Sequence, residues 1–290
     1  MIQIDGFAWS LALAARCRME EIDLDIGFVQ FAPVLGDLQA TIEGIEELSA
    51  QCAGADLLVL PELCNSGYNF TSREQAWATS EEIGSSDFVR YLKSLCARLG
   101  CHIVSGLNER DGSRLYNSAV LVGPQGYIGK YRKLHLFFNE KDFFKPGDVG
   151  LPVFDIGACR IGMLVCFDWI FPEAWRVLTL KGADIICHPS NLVLPGLAQQ
   201  AVPAHALINR LYIVTANRIG GEGDLTFTGM STIADPRGQV LAQASSTHPE
   251  VSRAKIDISL ARTKDITARN NLLADRRPHE YQLLTDPQTR

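Results

Sequence analysis

Long basic runs are missing from this 290-residue sequence, and its 27 Lys and Arg stand against 33 Asp and Glu, a net charge of −6. The electrostatic footprint of a nucleic-acid binder is therefore lacking, and no nucleic-acid partner is expected. A membrane-spanning run is missing too. The longest suspect stretch, 185–209, has no Asp, Glu, Lys or Arg, but it is broken by Pro189, Pro195 and Pro203 and carries Asn191, Gln199 and Gln200. A spanning helix needs about 20 predominantly apolar residues, so no membrane is expected either. The eight cysteines, at 17, 52, 64, 96, 101, 159, 166 and 187, form no Cys-x-x-Cys pair and no Cys/His metal spacing. A chain this long and apolar needs no disulfide staples, so free thiols in a reducing cytoplasm and no metal are the expectation. No Pro-, Gly- and Ser-rich linker divides the chain.

What is there is an ordinary globular composition, 47% apolar and 21% charged, sufficient for a large core. Residues 1–21 stand apart. Gly6 to Ala15 is apolar and Ala12-Leu13-Ala14 resembles a signal-peptidase site, yet the preceding residues carry Asp5 and no Lys or Arg. That charge pattern argues against export and for an extra N-terminal helix or a start misplaced upstream of Met19.

From Ile22 the pattern alternates apolar and polar to Phe28, as a half-buried strand does. A helix capped by Asp37 follows and stops at Gly54; then come the strand 57–60, a helix from Phe88 to Gly100 and strands over 101–107 and 115–122. Residues 160–167 read as one further strand, Pro172 opens a helix to about Lys181, and strands over 231–234, 239–242 and 254–258 complete the pattern. Gly54-Ala55-Asp56 and Gly182-Ala183-Asp184 each precede an apolar strand that runs into a Pro at equal spacing. This hints at two similar α/β halves, against coincidence between two ordinary helix-to-strand junctions. The whole reads as mixed α/β layers in one domain, residues 22–290.

Three strand ends carry reactive groups: Glu62 after Pro61, Lys133 in a basic stretch, and Cys166 just ahead of the Pro-initiated helix. Taken singly, such residues are more often a solvated edge carboxylate, part of a solvated basic face and a small buried hydrophobe. A Cys between a buried strand and a helix N-terminus, however, sits near backbone N–H groups that favour a thiolate or an oxyanion.

The surrounding words are Leu60-Pro61-Glu62-Leu63-Cys64-Asn65-Ser66-Gly67-Tyr68, Gly129-Lys130-Tyr131-Arg132-Lys133-Leu134-His135 and Cys166-Phe167-Asp168-Trp169-Ile170-Phe171-Pro172-Glu173. With Phe144-Lys145-Pro146-Gly147-Asp148 and Asp275-Arg276-Arg277-Pro278 they occur in order over about residues 24–282. The sequence strongly resembles the nitrilase, or carbon-nitrogen hydrolase, superfamily. The resemblance implies a four-layer α-β-β-α sandwich with Glu62 as general base, Lys133 as electrostatic stabiliser and Cys166 as nucleophile. By the same token Glu140 helps position substrate and Lys133, and the backbone N–H of Phe167 faces the oxyanion. Tyr68, Phe138, Trp169, His188 and Asn191 are implied pocket residues, while His135 reads as a supporting or packing residue. A cofactor-independent amidase acting on small linear carboxamides or N-carbamoyl amines is the expected activity, with a nitrilase as its alternative. A homodimer or larger assembly is expected; a papain-like Cys-His pair finds no partner motif, and a binding module with a relic triad is the non-enzymatic alternative.

Overall fold

The computed structural model describes residues 23–287. The segment 1–21, with its competing readings, and the proposed strand start at Ile22 lie outside the described residues.

Twelve strands build two six-stranded sheets. The first contains β1 (Asp23–Gln30), β2 (Leu57–Val59), β3 (His102–Asp111), β4 (Arg114–Gly123) and β5 (Gly126–Arg132). The second contains β6 (Val153–Asp155), β7 (Arg160–Met163), β8 (Ile185–Ser190) and β9 (Tyr212–Asn217). A short ribbon, β10 (Gly221–Glu222) with β11 (Leu225–Thr226), stands apart; β12 (Thr232–Ala234) and β13 (Val240–Gln243) finish the second sheet, and β14 (Glu250–Asp257) returns to the first. The orders are β14-β1-β2-β3-β4-β5 and β6-β7-β8-β9-β12-β13.

Helices cover the outer faces. Asp37 caps α1 (Leu38–Ser49) by accepting from the Ala40 N–H at 2.9 Å, and Gly100 ends α3 (Asp87–Leu99) in the left-handed conformation that glycine adopts without strain. A short α2 (Arg73–Ala78) lies between them in the chain, and a single turn, α4 (Glu140–Phe143), follows β5. Along β2 the strand alternates: Leu58 packs outward with Ile45, Phe88 and Leu92 of α1 and α3, whereas Leu57 and Val59 join Ile26, Met163, Cys187 and Val214 in the core between the sheets. On the far side α5 (Pro172–Leu180) and α6 (Leu197–Asn209) bury Trp175, Leu178 and Val202 against the second sheet. The layers are thus α-β-β-α, as the resemblance implied.

The two Gly-Ala-Asp segments occupy equivalent places. Asp56 N–H donates to the Asp25 carbonyl (2.8 Å) while its side-chain Oδ2 accepts from Asp25 N–H (2.7 Å). Asp184 repeats both bonds with Arg160, at 2.8 and 2.9 Å. Parallel β1-β2-β3 therefore matches parallel β7-β8-β9 strand for strand, so the short sequence repeat marks a structural one.

One segment differs from expectation. The strand read over 160–167 ends at Met163, and Cys166–Ile170 forms a 3-10 turn, because Asp168 folds back to accept from the Val165 N–H at 2.9 Å. The proline-broken stretch 185–209 is, as expected, no spanning helix: strand β8 takes 185–190 and α6 takes 197–209, with Pro203 inside the helix.

Candidate active site

The first strand end to reach the centre is that of β2. Beyond it Pro61, Glu62 and Leu63 turn so tightly against β3 that a Cβ on Gly106 would lie 2.4 Å from the Glu62 Cα and 2.3 Å from the Leu63 nitrogen. Only a glycine lets β3 pass there. Glu62 is fully buried, and its backbone carbonyl accepts from Asn191 Nδ2 at 3.0 Å.

Lys133 follows β5 directly. Its N–H donates to the Asn117 carbonyl (2.8 Å), and its own carbonyl accepts from Gly147 N–H (2.9 Å). A side chain on Gly147 would put its Cβ 2.0 Å from the Arg132 oxygen, which explains the glycine in the Phe144–Asp148 motif. The Lys133 ammonium donates to Glu62 Oε1 (2.8 Å) and Glu140 Oε1 (2.7 Å), all three side chains being buried. Burial opposes the charge on Lys133, but Glu140 and Glu62 outweigh it and hold the ammonium well above its ordinary range. Glu140, at the start of α4, also accepts from Tyr68 OH (2.8 Å) and Phe137 N–H (3.1 Å). Burial, opposed by Lys133 and reinforced by Glu62, pushes its carboxyl up to about 7.

Cys166 sits at the first position of the 3-10 turn with φ 44°, the left-handed region that strains a non-glycine residue by about 1–3 kcal/mol. Asp168 fixes that turn. Its Oδ2 accepts from Val165 N–H and Tyr131 OH (2.8 Å), and its Oδ1 accepts from the N–H (3.2 Å) and ring Nδ1–H (2.7 Å) of His135. His135 therefore ties the Cys166 turn to the strand end that carries Lys133, and stacks on Phe171 at 3.6 Å. Burial raises the Cys166 pKa well above the ordinary thiol value; the Glu62 and Glu140 charges add to the rise, while Lys133 and the Asn191 backbone N–H oppose it. Burial thus favours the thiol over the thiolate, and a neighbouring base is what would activate it.

The sequence-derived set thus converges, with different duties. Glu62, Lys133 and Glu140 share one hydrogen-bonded cluster, and Cys166 lies within its field. Phe167, Trp169 and Asn191 line a narrow cleft over the thiol together with Phe137, Leu192, Val193 and Leu194. Tyr68 and Phe138 line the adjoining cavity, where Phe138 is 71% exposed. His188 lies behind the nucleophile: its Nε2–H donates to the Cys166 carbonyl (2.9 Å) and its Nδ1 accepts from Thr215 OH (3.0 Å). Burial lowers its pKa to about 4, so the ring is neutral.

Sequence reasoning passed over Asn117, whose Nδ2 donates to Glu62 Oε1 at 2.7 Å, and the pair Arg218–Glu222, whose carboxylate accepts from the Tyr68 (2.9 Å) and Asn69 (2.7 Å) N–H groups. A signal existed for Asn117, a polar residue inside the apolar strand β4 that burial would penalise without a partner.

The pattern of the carbon-nitrogen hydrolase family matches residues 25–264. A protein named nitrilase from Pyrococcus abyssi is 46% identical over 258 residues, covering 88% of this chain and 98% of its own. An (R)-stereoselective amidase from a Pseudomonas species is 34% identical, over 88% of this chain and 92% of its own. The crystal structure of a carbon-nitrogen hydrolase from Helicobacter pylori superposes with a TM-score of 0.82 at 27% identity, over 91% of this chain and 99% of the other.

Proposed function

The chain belongs to the carbon-nitrogen hydrolase family, and on that premise we propose that it is an amidase of small linear carboxamides or N-carbamoyl amines, with Cys166 as nucleophile, Glu62 as base and Lys133 as stabilising cation. The observation that carries this reading is Glu62 Oε2, a buried carboxylate oxygen without a hydrogen-bond partner among the described residues, beside a buried thiol. In the first step Oε2 takes the Cys166 proton and Sγ bonds to the carbonyl carbon, whose oxygen takes up the C=O pair. That oxyanion meets the Lys133 ammonium and the backbone N–H of Phe167, an interaction typically worth about 3–4 kcal/mol for a well-placed donor. Collapse breaks the C–N bond, Glu62 returns its proton to the leaving nitrogen, and ammonia or an amine departs. Water then gives a proton to Glu62, attacks the thioester and releases the acid and the thiol.

The cleft is lined by aromatic and aliphatic side chains, which suits a small acyl group. A nitrilase is the second reading, favoured by the Pyrococcus relative's name. Its first adduct is a thioimidate on the same sulfur. The seven described cysteines are unbridged, consistent with a reducing cytoplasm. Residues 22–290 we read as one domain, paired with a second copy through the apolar face of α5, α6 and the C-terminal segment, where Leu207, Ile208 and Leu284 are exposed.

Ammonia release from a panel of aliphatic amides, N-carbamoyl amines and nitriles tests the proposal. Wild type is expected to turn over at least one class while Cys166→Ala stays at background. Equal background from both on every substrate would leave the relic-triad reading standing. Light scattering of a 31.9 kDa species would refute the dimer.

A further inference from the structure

The two oxygens of Glu62 are treated differently. Oε1 accepts from both Lys133 Nζ (2.8 Å) and Asn117 Nδ2 (2.7 Å), whereas Oε2 is buried without a partner among the described residues. A carboxylate turns readily about its last bond, whose torsional preference is broad and two-fold. Lys133 alone, a rotatable donor on a flexible stem, does not decide which oxygen is held. Asn117 does. It is 1% exposed on β4, pinned opposite Asn108 of β3, and its own carbonyl accepts from the Lys133 N–H at 2.8 Å. One residue thereby fixes the backbone of Lys133 and the side chain of Glu62.

Among the described residues no other facing group supplies that second bond. The charged and titratable groups around Glu62 are Lys133, Glu140, Cys166, Tyr68 and Arg218. Tyr68 OH is spent on Glu140 (2.8 Å), and the Arg218 guanidinium on Glu222 and the Pro33 carbonyl (3.0 Å). Asn117 Oδ1 is itself buried without a partner among the described residues, so the acceptor end of the side chain goes unmet. Such a residue is costly in a strand interior unless the remaining bond matters.

We propose that Asn117 is a positioning residue, whose amide holds Oε1 of Glu62 and so presents Oε2 as the oxygen that takes the Cys166 proton. This rests on the reading of Glu62 as base. The test uses the full chain, with Asn117→Ala and Asn117→Asp, in steady-state hydrolysis of the best substrate of the panel and in iodoacetamide alkylation of Cys166 across pH 5 to 9. Asn117→Ala leaves the main-chain bond to Lys133 intact. Its kcat should fall about ten- to hundred-fold with KM changed far less, since a hydrogen bond to a charged group is lost. The acid limb of its kcat/KM profile should move up by about one pH unit, because the carboxylate loses a donor that favours its ionised form. Asn117→Asp, nearly isosteric, should move that limb further, as two adjacent carboxylates must share a proton.

An unchanged kcat and acid limb in Asn117→Ala overturns the proposal, and so does a kcat loss that merely follows a fall in Tm. Should Asn117→Ala fail to fold, an unmoved acid limb in Asn117→Asp overturns it. Glu62→Gln separates the two levels. If it keeps the wild-type alkylation rate, Glu62 is not the base and both readings fall; if it is inactive while the Asn117 variants behave as wild type, only the positioning role is lost.

Discussion

Arg132 and Lys133 are neighbours in the chain, both buried and both surrounded by carboxylates, yet their surroundings differ in one respect. Around Arg132 everything is paired. Its guanidinium reaches Glu109 (2.6 and 3.0 Å), Asp111 (2.7 Å) and Asp148 (2.8 Å) and lies 3.6 Å over the Tyr116 ring, while Glu109 also accepts from Ser118 and Lys130. Around Lys133 one oxygen of Glu62 is left without a partner among the described residues, Glu140 is pushed up to about 7, and the adjacent Cys166 backbone is strained. Alternation along a strand sends the two side chains to opposite faces, so one sequence word serves two networks. A fully satisfied buried network rigidifies a fold; a partly satisfied one stores reactivity at a cost in stability.

The sharpest way to break this comparison is Glu62→Gln, which keeps shape and removes the base. Turnover should fall by about 10²–10⁴, the range that general base catalysis supplies, while the urea midpoint falls less than in an Arg132 variant, because a glutamine oxygen still accepts from Lys133 and Asn117 and Glu140 still balances the ammonium. A variant that unfolds at lower urea yet keeps its turnover would invert the roles of the two clusters. Next in size is Arg132→Met. Removing one partner of a buried pair typically costs about 3–5 kcal/mol, and with Lys130 still on Glu109 about 3 kcal/mol is expected here. Its kcat/KM, measured where the variant is folded, should stay within about ten-fold of wild type, since the lost partners lie outside the Lys133 cluster. Chemical denaturation beside steady-state kinetics reads both.

Much of this was legible in the sequence because it rests on local rules. Asp37 and Gly100 bound their helices where caps predict, and the Gly-Ala-Asp repeat foretold matching halves because it sits where each half begins its central parallel strand. Glu62, Lys133, Glu140 and Cys166 stood in recognisable words. Asn117 and Asp168 did not announce their partners, because those bonds join residues 55 and 37 positions away and depend on how strands meet in space. The strand read over 160–167 failed for the same reason: apolar residues continue to Val165, but a side-chain bond from Asp168 bends the backbone before the pattern ends. The resemblance implies a pocket wall for His188, whereas the packing has it hold the Cys166 carbonyl from behind.

The smallest expected effect gives the comparison a sign. Burial alone would raise Glu109, but Arg132, Lys130 and Ser118 outweigh it and lower its pKa; Arg132 likewise lowers Asp111 and Asp148. Carboxyls lowered by folding contribute stability that is present above their unfolded values and lost as pH falls through the folded ones. Glu140 runs the other way. Its folded value, about 7, exceeds the ordinary 4.5, so the folded state holds its proton longer and stability declines as pH rises across that window. Replacing each residue should remove its own slope. Arg132→Met flattens the loss of stability below about pH 5, while Glu140→Gln matches wild type near pH 5 and gains on it by pH 8, by about 1 kcal/mol in a coupled cluster of this kind. Urea midpoints at pH 4, 5, 7 and 8 for the three proteins decide it, and a Glu140→Gln variant that loses ground to wild type as pH rises would show that Lys133 needs the second carboxylate for stability as well as for charge balance.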